Sequence, residues 1–141
     1  MTQLIFALLL CACMSLAAAG GGLLVKHAWV REAPTGASMM AAYLEIENPT
    51  GRDIALVSVD SPTFAHVMLH RSVTVDGVAR MLHKDSITVP AHSAVALEPG
   101  SYHLMMPAPP THLVAGDKVQ FVLHFADGSS LTVTAEVKNM R

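Results

Sequence analysis

Short segments of alternating apolar and polar residues follow one another along most of the chain, separated by Gly, Pro and Asp. Alternation is clearest in residues 119–125 and 131–137, with the dipeptide Asp127-Gly128 between them. This arrangement predicts a β-hairpin, because glycine readily adopts the positive φ that a tight turn requires. No long apolar pattern at helical spacing occurs after residue 20. The pattern therefore predicts an all-β chain.

Turn residues divide the remainder of the chain into further short strands. The predicted strands are 24–30, 38–47, 54–59, 67–75, 78–82, 87–89, 94–97, 102–106, 118–125 and 130–137. Strands of this length and spacing are typical of an antiparallel β-sandwich. Because no internal repeat or linker interrupts them, we expect one β-sandwich domain over residues 20–141.

The amino-terminal segment differs from the rest. Residues 1–19 contain no charged side chain, and residues 4–16 are almost continuously apolar before a run of alanines that ends at Ala19. A bilayer span needs about 20 apolar residues, so this run is short for one. It predicts a secretory signal peptide over 1–19 and no membrane span once that peptide is removed. The alternatives are a retained anchor, or a lipoprotein signal in which Cys13 carries the lipid.

Composition narrows the function classes. The chain is 52% hydrophobic and 14% charged, which excludes disorder driven by excess charge. The net charge is −2 and basic residues form no cluster, so nucleic acid is not an expected partner. Both cysteines precede residue 20 and would leave with the signal peptide. Nine methionines and eight histidines are then the candidate chemistry.

The hairpin turn at 76–77 predicts which side chains are neighbours. A two-residue turn there places Ser72 opposite Met81. It also places His70 opposite His83. Residues two apart on a strand share a face, so these four side chains project from the same side. His70 and Met81 are then diagonal neighbours, about 7–8 Å apart at Cα, and their side chains can reach one ion.

A second pair of donors lies farther along the chain. His103 and Met105 are two residues apart in the predicted strand 102–106 and so share a face. With His70 and Met81 they offer two imidazoles and two thioethers. Thioether sulfur is a soft ligand that favours Cu(I), whereas zinc sites use Cys, His or carboxylates. The donor set predicts a Cu(I) site outside the cytoplasm.

The spacing of these four residues resembles that of a known family. Ten residues separate His70 from Met81, twenty-one separate Met81 from His103, and one separates His103 from Met105. This resembles the H-x10-M-x21-H-x-M signature of the PCu(A)C-type periplasmic copper chaperones, and the likeness covers nearly the whole mature chain. Other segments that look like this family are 28–31, 41–44, 48–49, 76–78, 89–91, 97–100 and 102–105.

The resemblance implies a cupredoxin-like Greek-key β-sandwich that acts as a periplasmic chaperone without enzymatic turnover. Its ligands for Cu(I) would be His70, Met81, His103 and Met105. It would deliver copper to the Cu(A) site of cytochrome c oxidase, with the oxidase copper subunit and thioredoxin-like assembly factors as partners, and a monomer is expected. Many relatives have Met where this chain has Ser72, and Arg-Pro where it has Leu82-His83.

The other histidines, methionines and aromatic residues receive simpler interpretations. His83 is a candidate supplementary ligand, and so is His66. We expect surface or strand positions for His27, His92, His112 and His124. We expect core positions for Met39, Met40, Met68 and Met106, since Met often fills gaps in apolar strands. Trp29 and Tyr43 are expected to pack into the sandwich, and Tyr102 to shield the site.

Other functions fit the residues less well. An electron-transfer cupredoxin needs a Cys ligand, which the mature chain lacks. An oxidative copper enzyme with an amino-terminal His ligand would require cleavage immediately before His27. Hydrolase motifs such as G-x-S-x-G and H-E-x-x-H are absent from the sequence. The remaining alternative is a metal-free or copper-buffering extracytoplasmic β-sandwich that serves as an interaction module.

Overall fold

A computed structural model of the chain describes residues 22–140, so the predicted signal peptide lies outside the described residues. The strands are β1 (Leu24–Arg31), β2 (Met39–Asn48), β3 (Ile54–Asp60), β4 (Met68–Val75), β5 (Val78–His83), β6 (Ile87–Val89), β7 (Ser93–Leu97), β8 (Tyr102–Pro107), β9 (Lys118–Phe125) and β10 (Ser130–Lys138). Each predicted strand is found, with ends that agree to within one residue. Within residues 22–140, no helix has the length and apolar character needed to cross a membrane.

The strands pair in the order β5-β4-β8-β7-β2-β1-β10-β9-β3-β6, and β8 also pairs with β2. This confirms the all-β, cupredoxin-like Greek-key β-sandwich. Most pairs are antiparallel, but β1–β10 and β7–β8 are parallel, which the expectation of an antiparallel sandwich did not include. Turn signals in the sequence predict the pairing of consecutive strands only. β1 and β10 are the first and last strands, so no turn signal predicts that they pair.

Alternation along the strands builds the core. In β9, Val119, Phe121, Leu123 and Phe125 are buried, and the residues between them point away. The Phe121 ring stacks on Phe64 with centroids 6.0 Å apart. Burial of such apolar surface contributes about 25 cal/mol per Å² and is the main favourable term in folding.

One polar side chain is completely buried at the end of β2. Asn48 donates its Nδ2 hydrogens to the carbonyl oxygens of Arg52, Val89 and Pro90 at 2.7 to 3.2 Å. Its Oδ1 accepts from the backbone N–H and the hydroxyl of Thr50, at 3.0 and 2.6 Å. Because its polar atoms are satisfied, Asn48 joins the end of β2 to the end of β6 without an unpaired buried group.

The β4–β5 hairpin has the predicted turn. Asp76 and Gly77 have φ values of 51° and 75°. Positive φ at both central residues is the geometry of a type I′ turn, which matches the twist of the flanking strands. The register runs from Val75 opposite Val78 outward to His70 opposite His83, as the sequence predicted.

Candidate metal centre

Strand pairing brings three histidines into one row. β4 lies between β5 and β8, and His70 on β4 is directly opposite His83 on one side and His103 on the other. The His70 ring centroid is 5.7 Å from that of His103 and 5.8 Å from that of His83. The long-range pairing of β4 with β8 therefore joins the two donor segments that the sequence left separate.

His103 is held in one tautomer by its backbone neighbour. The residue is 3% exposed, and its Nδ1 lies 3.2 Å from the carbonyl oxygen of Ser101. A carbonyl oxygen can only accept, so Nδ1 carries the hydrogen and donates it. The Nε2 atom of the neutral ring then has a free lone pair, as a metal-ligating histidine requires.

Two buried ring nitrogens lack hydrogen-bond partners. They are His103 Nε2 and His70 Nδ1, neither of which finds a partner among residues 22–140. Burial, followed by the proximity of His103 and His83, lowers the pKa of His70 below its ordinary value, so its ring is neutral at neutral pH. Buried polar atoms are rarely left unpaired in folded proteins, and a lone pair without a hydrogen-bond donor can be satisfied by a bound ion.

The two expected methionine donors are on the same face as the histidine row. Met105 lies two residues beyond His103 on β8, and Met81 lies two residues before His83 on β5. The Met81 side chain is 62% exposed, opposite Ser72. Met81 and Met105 line one cleft of about 270 Å³ together with Tyr43. The structure thus brings all four predicted donors to one face of the sheet.

The candidate supplementary histidines are less well placed. The side chain of His83 is 62% exposed, and its Nε2 lies 3.5 Å from Asp85 Oδ1. His66 is exposed and precedes β4, so the strand alternation that would align it with His70 does not extend to it. Residues 22–140 contain no group of three or more His, Cys, Asp or Glu side chains that could hold a metal ion.

The aromatic residue beside the histidine row is Tyr43. Its ring centroid is 6.5 Å from that of His103 and 4.7 Å from that of Trp29. The Arg31 guanidinium lies over both rings, 5.7 Å from Trp29 and 5.5 Å from Tyr43. Trp29 and Tyr43 therefore form a pair of aromatic rings next to His103, tilted by 36° relative to each other.

Tyr102 does not shield the site, contrary to expectation. It precedes His103 on β8 and therefore points to the opposite face, where it packs against the hydrophobic core. The Arg71 guanidinium covers its ring at 5.0 Å.

The comparisons with known proteins bear on the whole fold. Residues 23–137 match a family model described as "Putative lipoprotein LpqE-like". The chain belongs to the LpqE-like family. A relative from Leifsonia xyli subsp. xyli, "Putative lipoprotein Lxx21020", is 34% identical to this LpqE-like chain over 119 residues, which is 84% of this chain and 70% of the relative.

Two solved structures are similar to the LpqE-like chain. The copper-bound PCuAC domain from PmoF2 has a TM-score of 0.71 at 23% identity, over 85% of this chain and 95% of that one. The solution structure of CuI-DR1885 from Deinococcus radiodurans has a TM-score of 0.68 at 29% identity, over 91% and 85%. These likenesses confirm the resemblance to the PCu(A)C family.

Two methionines of the LpqE-like chain lie outside the core, contrary to expectation. Met40 and Met106 are buried as predicted. Met68 is half-buried on the face of His70, directly opposite Met105, and Met39 is 40% exposed and lines the cleft of Met81 and Met105. Met39 and Met40 are adjacent on β2, so they point to opposite faces. The adjacent pair was itself the signal that one of them lies outside the core.

The four remaining histidines lie at surface or strand positions, as expected. His27, His92 and His112 are exposed. The Nε2 atom of His124 lies 2.8 Å from Asp60 Oδ2. None of these four lines the Met39–Met81–Met105 cleft.

Proposed function

We propose that this LpqE-like chain is a Cu(I) chaperone that binds one copper ion through His70, Met81, His103 and Met105. The observation that supports this most directly is the pairing of His70 with His103, each with a buried ring nitrogen that finds no partner within residues 22–140. A metal ion would satisfy both atoms. The PCuAC domain from PmoF2 and CuI-DR1885, which share this fold, are copper-bound in their solved structures.

The chemistry of the four donors favours Cu(I) as the cargo. Two imidazoles and two thioethers are all neutral, and thioethers have little affinity for hard ions such as Mg²⁺ and Ca²⁺. The exposure of Met81 leaves one donor accessible to an incoming ligand. A thiolate of an acceptor protein can therefore bind the ion before the weaker thioether leaves. This arrangement suits transfer rather than permanent storage.

The proposed destination is the Cu(A) site of cytochrome c oxidase, reached on the oxidase copper subunit directly or with a thioredoxin-like assembly factor. The proposed location is the periplasm, where the chain would be free or held by a lipid on Cys13. The lipoprotein description of the family supports a role outside the cytoplasm. The chain would act as a monomer without enzymatic turnover.

A Cu(I) competition titration under reducing conditions tests the site. We expect one copper per chain. Replacing any one ligand should lower the affinity at least about tenfold, because losing even an outer-shell partner of a metal ligand has an effect of that size. The four variants are His70→Ala, Met81→Leu, His103→Ala and Met105→Leu. Met140→Leu, which changes an exposed methionine outside the cleft, is the matched control. A stoichiometry well below one, or unchanged affinity after Met81 and Met105 are both replaced by Leu, would contradict the proposal.

A transfer assay tests the destination separately. The Cu(I)-loaded chain is mixed with the copper-free soluble domain of the oxidase subunit, and the metal content of both is measured after separation. We expect copper to move to the oxidase domain. Tight binding without transfer, either directly or with a reduced thioredoxin-like factor, would favour the copper-buffering alternative.

A further inference from the structure

The cleft beside the histidine row contains a methionine that the four-donor site does not use. Met39, Met81 and Met105 line this cleft together. Met39 is opposite Pro107 in the β2–β8 register, and Ala41 is opposite Met105. Met39 and Met105 are therefore diagonal neighbours on one face, within reach for long side chains.

We infer that Met39, Met81 and Met105 form a second, all-thioether position for Cu(I), which the ion occupies as it enters or leaves the histidine site. This inference rests on the proposed function, because both positions use Met81 and Met105. Movement between them is a ligand substitution: the bonds from copper to His70 and His103 break and a bond to Met39 forms. Copper remains Cu(I), and no electron or proton is transferred.

The surroundings of the cleft suit a soft monovalent ion. Ala41 leaves space between the methionines, and Tyr43 and Pro34 are walls of low polarity. Arg31 also lines the cleft, and its guanidinium makes cation–π contacts with the rings of Trp29 and Tyr43. Glu32 lines the cleft as well, so the charge of Arg31 has a carboxylate of opposite sign nearby. Preference for Cu(I) at this position therefore comes from the three soft, neutral thioethers, which have little affinity for hard divalent ions.

Two methionines of the second position are more exposed than the histidines of the first, which suits the second position to copper exchange. Met39 is 40% exposed and Met81 62% exposed, whereas His103 is 3% exposed. An ion held by thioethers at the cleft is therefore accessible to an acceptor, while an ion bound to His103 is sheltered. We expect Met39 to control the rate of copper exchange.

The first test removes the histidines. In a His70→Ala/His103→Ala variant, we expect weak binding of one Cu(I) with a sulfur-only shell in X-ray absorption, and a further loss of at least about tenfold on adding Met39→Leu. Met140→Leu in the same background should have no effect. Circular dichroism checks that each variant is folded.

The second test uses the histidine-intact chain and does not depend on the double variant. Removal of Cu(I) by a chromophoric chelator is followed by stopped-flow. We expect Met39→Leu to slow it by about tenfold, because the exposed position from which the chelator takes the ion loses one of its three ligands. Met140→Leu should exchange at the original rate. Unchanged kinetics in Met39→Leu would overturn the inference while leaving the four-donor site intact. If the unmodified chain binds no Cu(I), the proposed function and the inference both fail.

Discussion

His83, the candidate supplementary ligand, lies beside the proposed site. It faces His70 across the β4–β5 pair, yet its side chain is mostly in solvent and directed to Asp85. We expect His83→Ala to change Cu(I) affinity by no more than about threefold, as a surface substitution does. His70→Ala is the comparison in the same titration. If His83→Ala weakens binding as much as His70→Ala, His83 is a ligand.

The lowered pKa of His70 makes the stability of the copper-free chain depend on pH. Burial is the main cause, followed by the charges of His103 and His83. Well above pH 6.5, the ordinary pKa, the residue is neutral in both folded and unfolded chains and contributes no pH dependence. As pH falls below this value, the unfolded chain takes up the proton first, so the free energy of unfolding decreases until the folded pKa is passed.

Thermal unfolding between pH 7.5 and 5 measures this dependence. We expect the melting temperature to fall with pH in the original chain and to fall less steeply in His70→Gln, which has no titrating ring at this position. Equal slopes for the two proteins would show that His70 has the same pKa in the folded and unfolded states.

The β4–β5 hairpin is the element that presents Met81. β5 is an edge strand of the sheet, and all its residues are exposed, so its position depends on β4 and on the turn. Gly77 has a φ of 75°, and an added Cβ would meet no atom within 4 Å. A side chain at position 77 is therefore disfavoured by the backbone conformation of that residue and not by a clash.

We expect Gly77→Ala to destabilise the chain by about 1 kcal/mol, the cost of a left-handed conformation for an L residue. Cu(I) affinity should decrease as well, because Met81 is less well positioned. Gly51→Ala is the control, since Gly51 has no positive φ and its added Cβ would make only an ordinary 3.7 Å contact with His92. Denaturant unfolding and Cu(I) titration of both variants test this; equal losses would mean that the turn conformation is unimportant.

At the scale of the whole molecule, the proposed site joins β4, β5 and β8. His70 and His103 lie on paired strands, and Met81 comes from the edge. A ligand that binds only the folded chain stabilises it by about 2.7 kcal/mol when its free concentration is 100 times the dissociation constant. We therefore expect Cu(I) to raise the melting temperature in calorimetry under reducing conditions. Met81→Leu/Met105→Leu is the control, and an equal rise in that variant would place copper elsewhere.

The sequence predicted local features of the fold well. Alternation and turn residues located every strand of residues 22–140 to within one residue, because both signals arise within a few positions of each other. The Asp76-Gly77 turn also predicted the register that aligns His70 with Met81 and His83. The likeness to the PCu(A)C signature then linked this hairpin to His103 and Met105.

Features that depend on distant pairing could not be predicted in the same way. Alternation along β2 puts Met39 and Met40 on opposite faces, but only the pairing of β2 with β8 places Met39 beside Met105. Tyr102 is a different case, because alternation along its own strand already places it on the face opposite to His103. The parallel pairing of β1 with β10 likewise joins the two ends of the domain.

The sequence by itself determined the strands, the hairpin register and the types of donor available, since these follow from short-range alternation, turn geometry and ligand chemistry. Only the tertiary structure decided that His70 and His103 are direct neighbours, each with a buried nitrogen that has no hydrogen-bond partner within residues 22–140. It also decided that Met39 shares a cleft with Met81 and Met105. The physical reason is that pairing between distant strands is selected by packing of the whole core, which no local segment specifies.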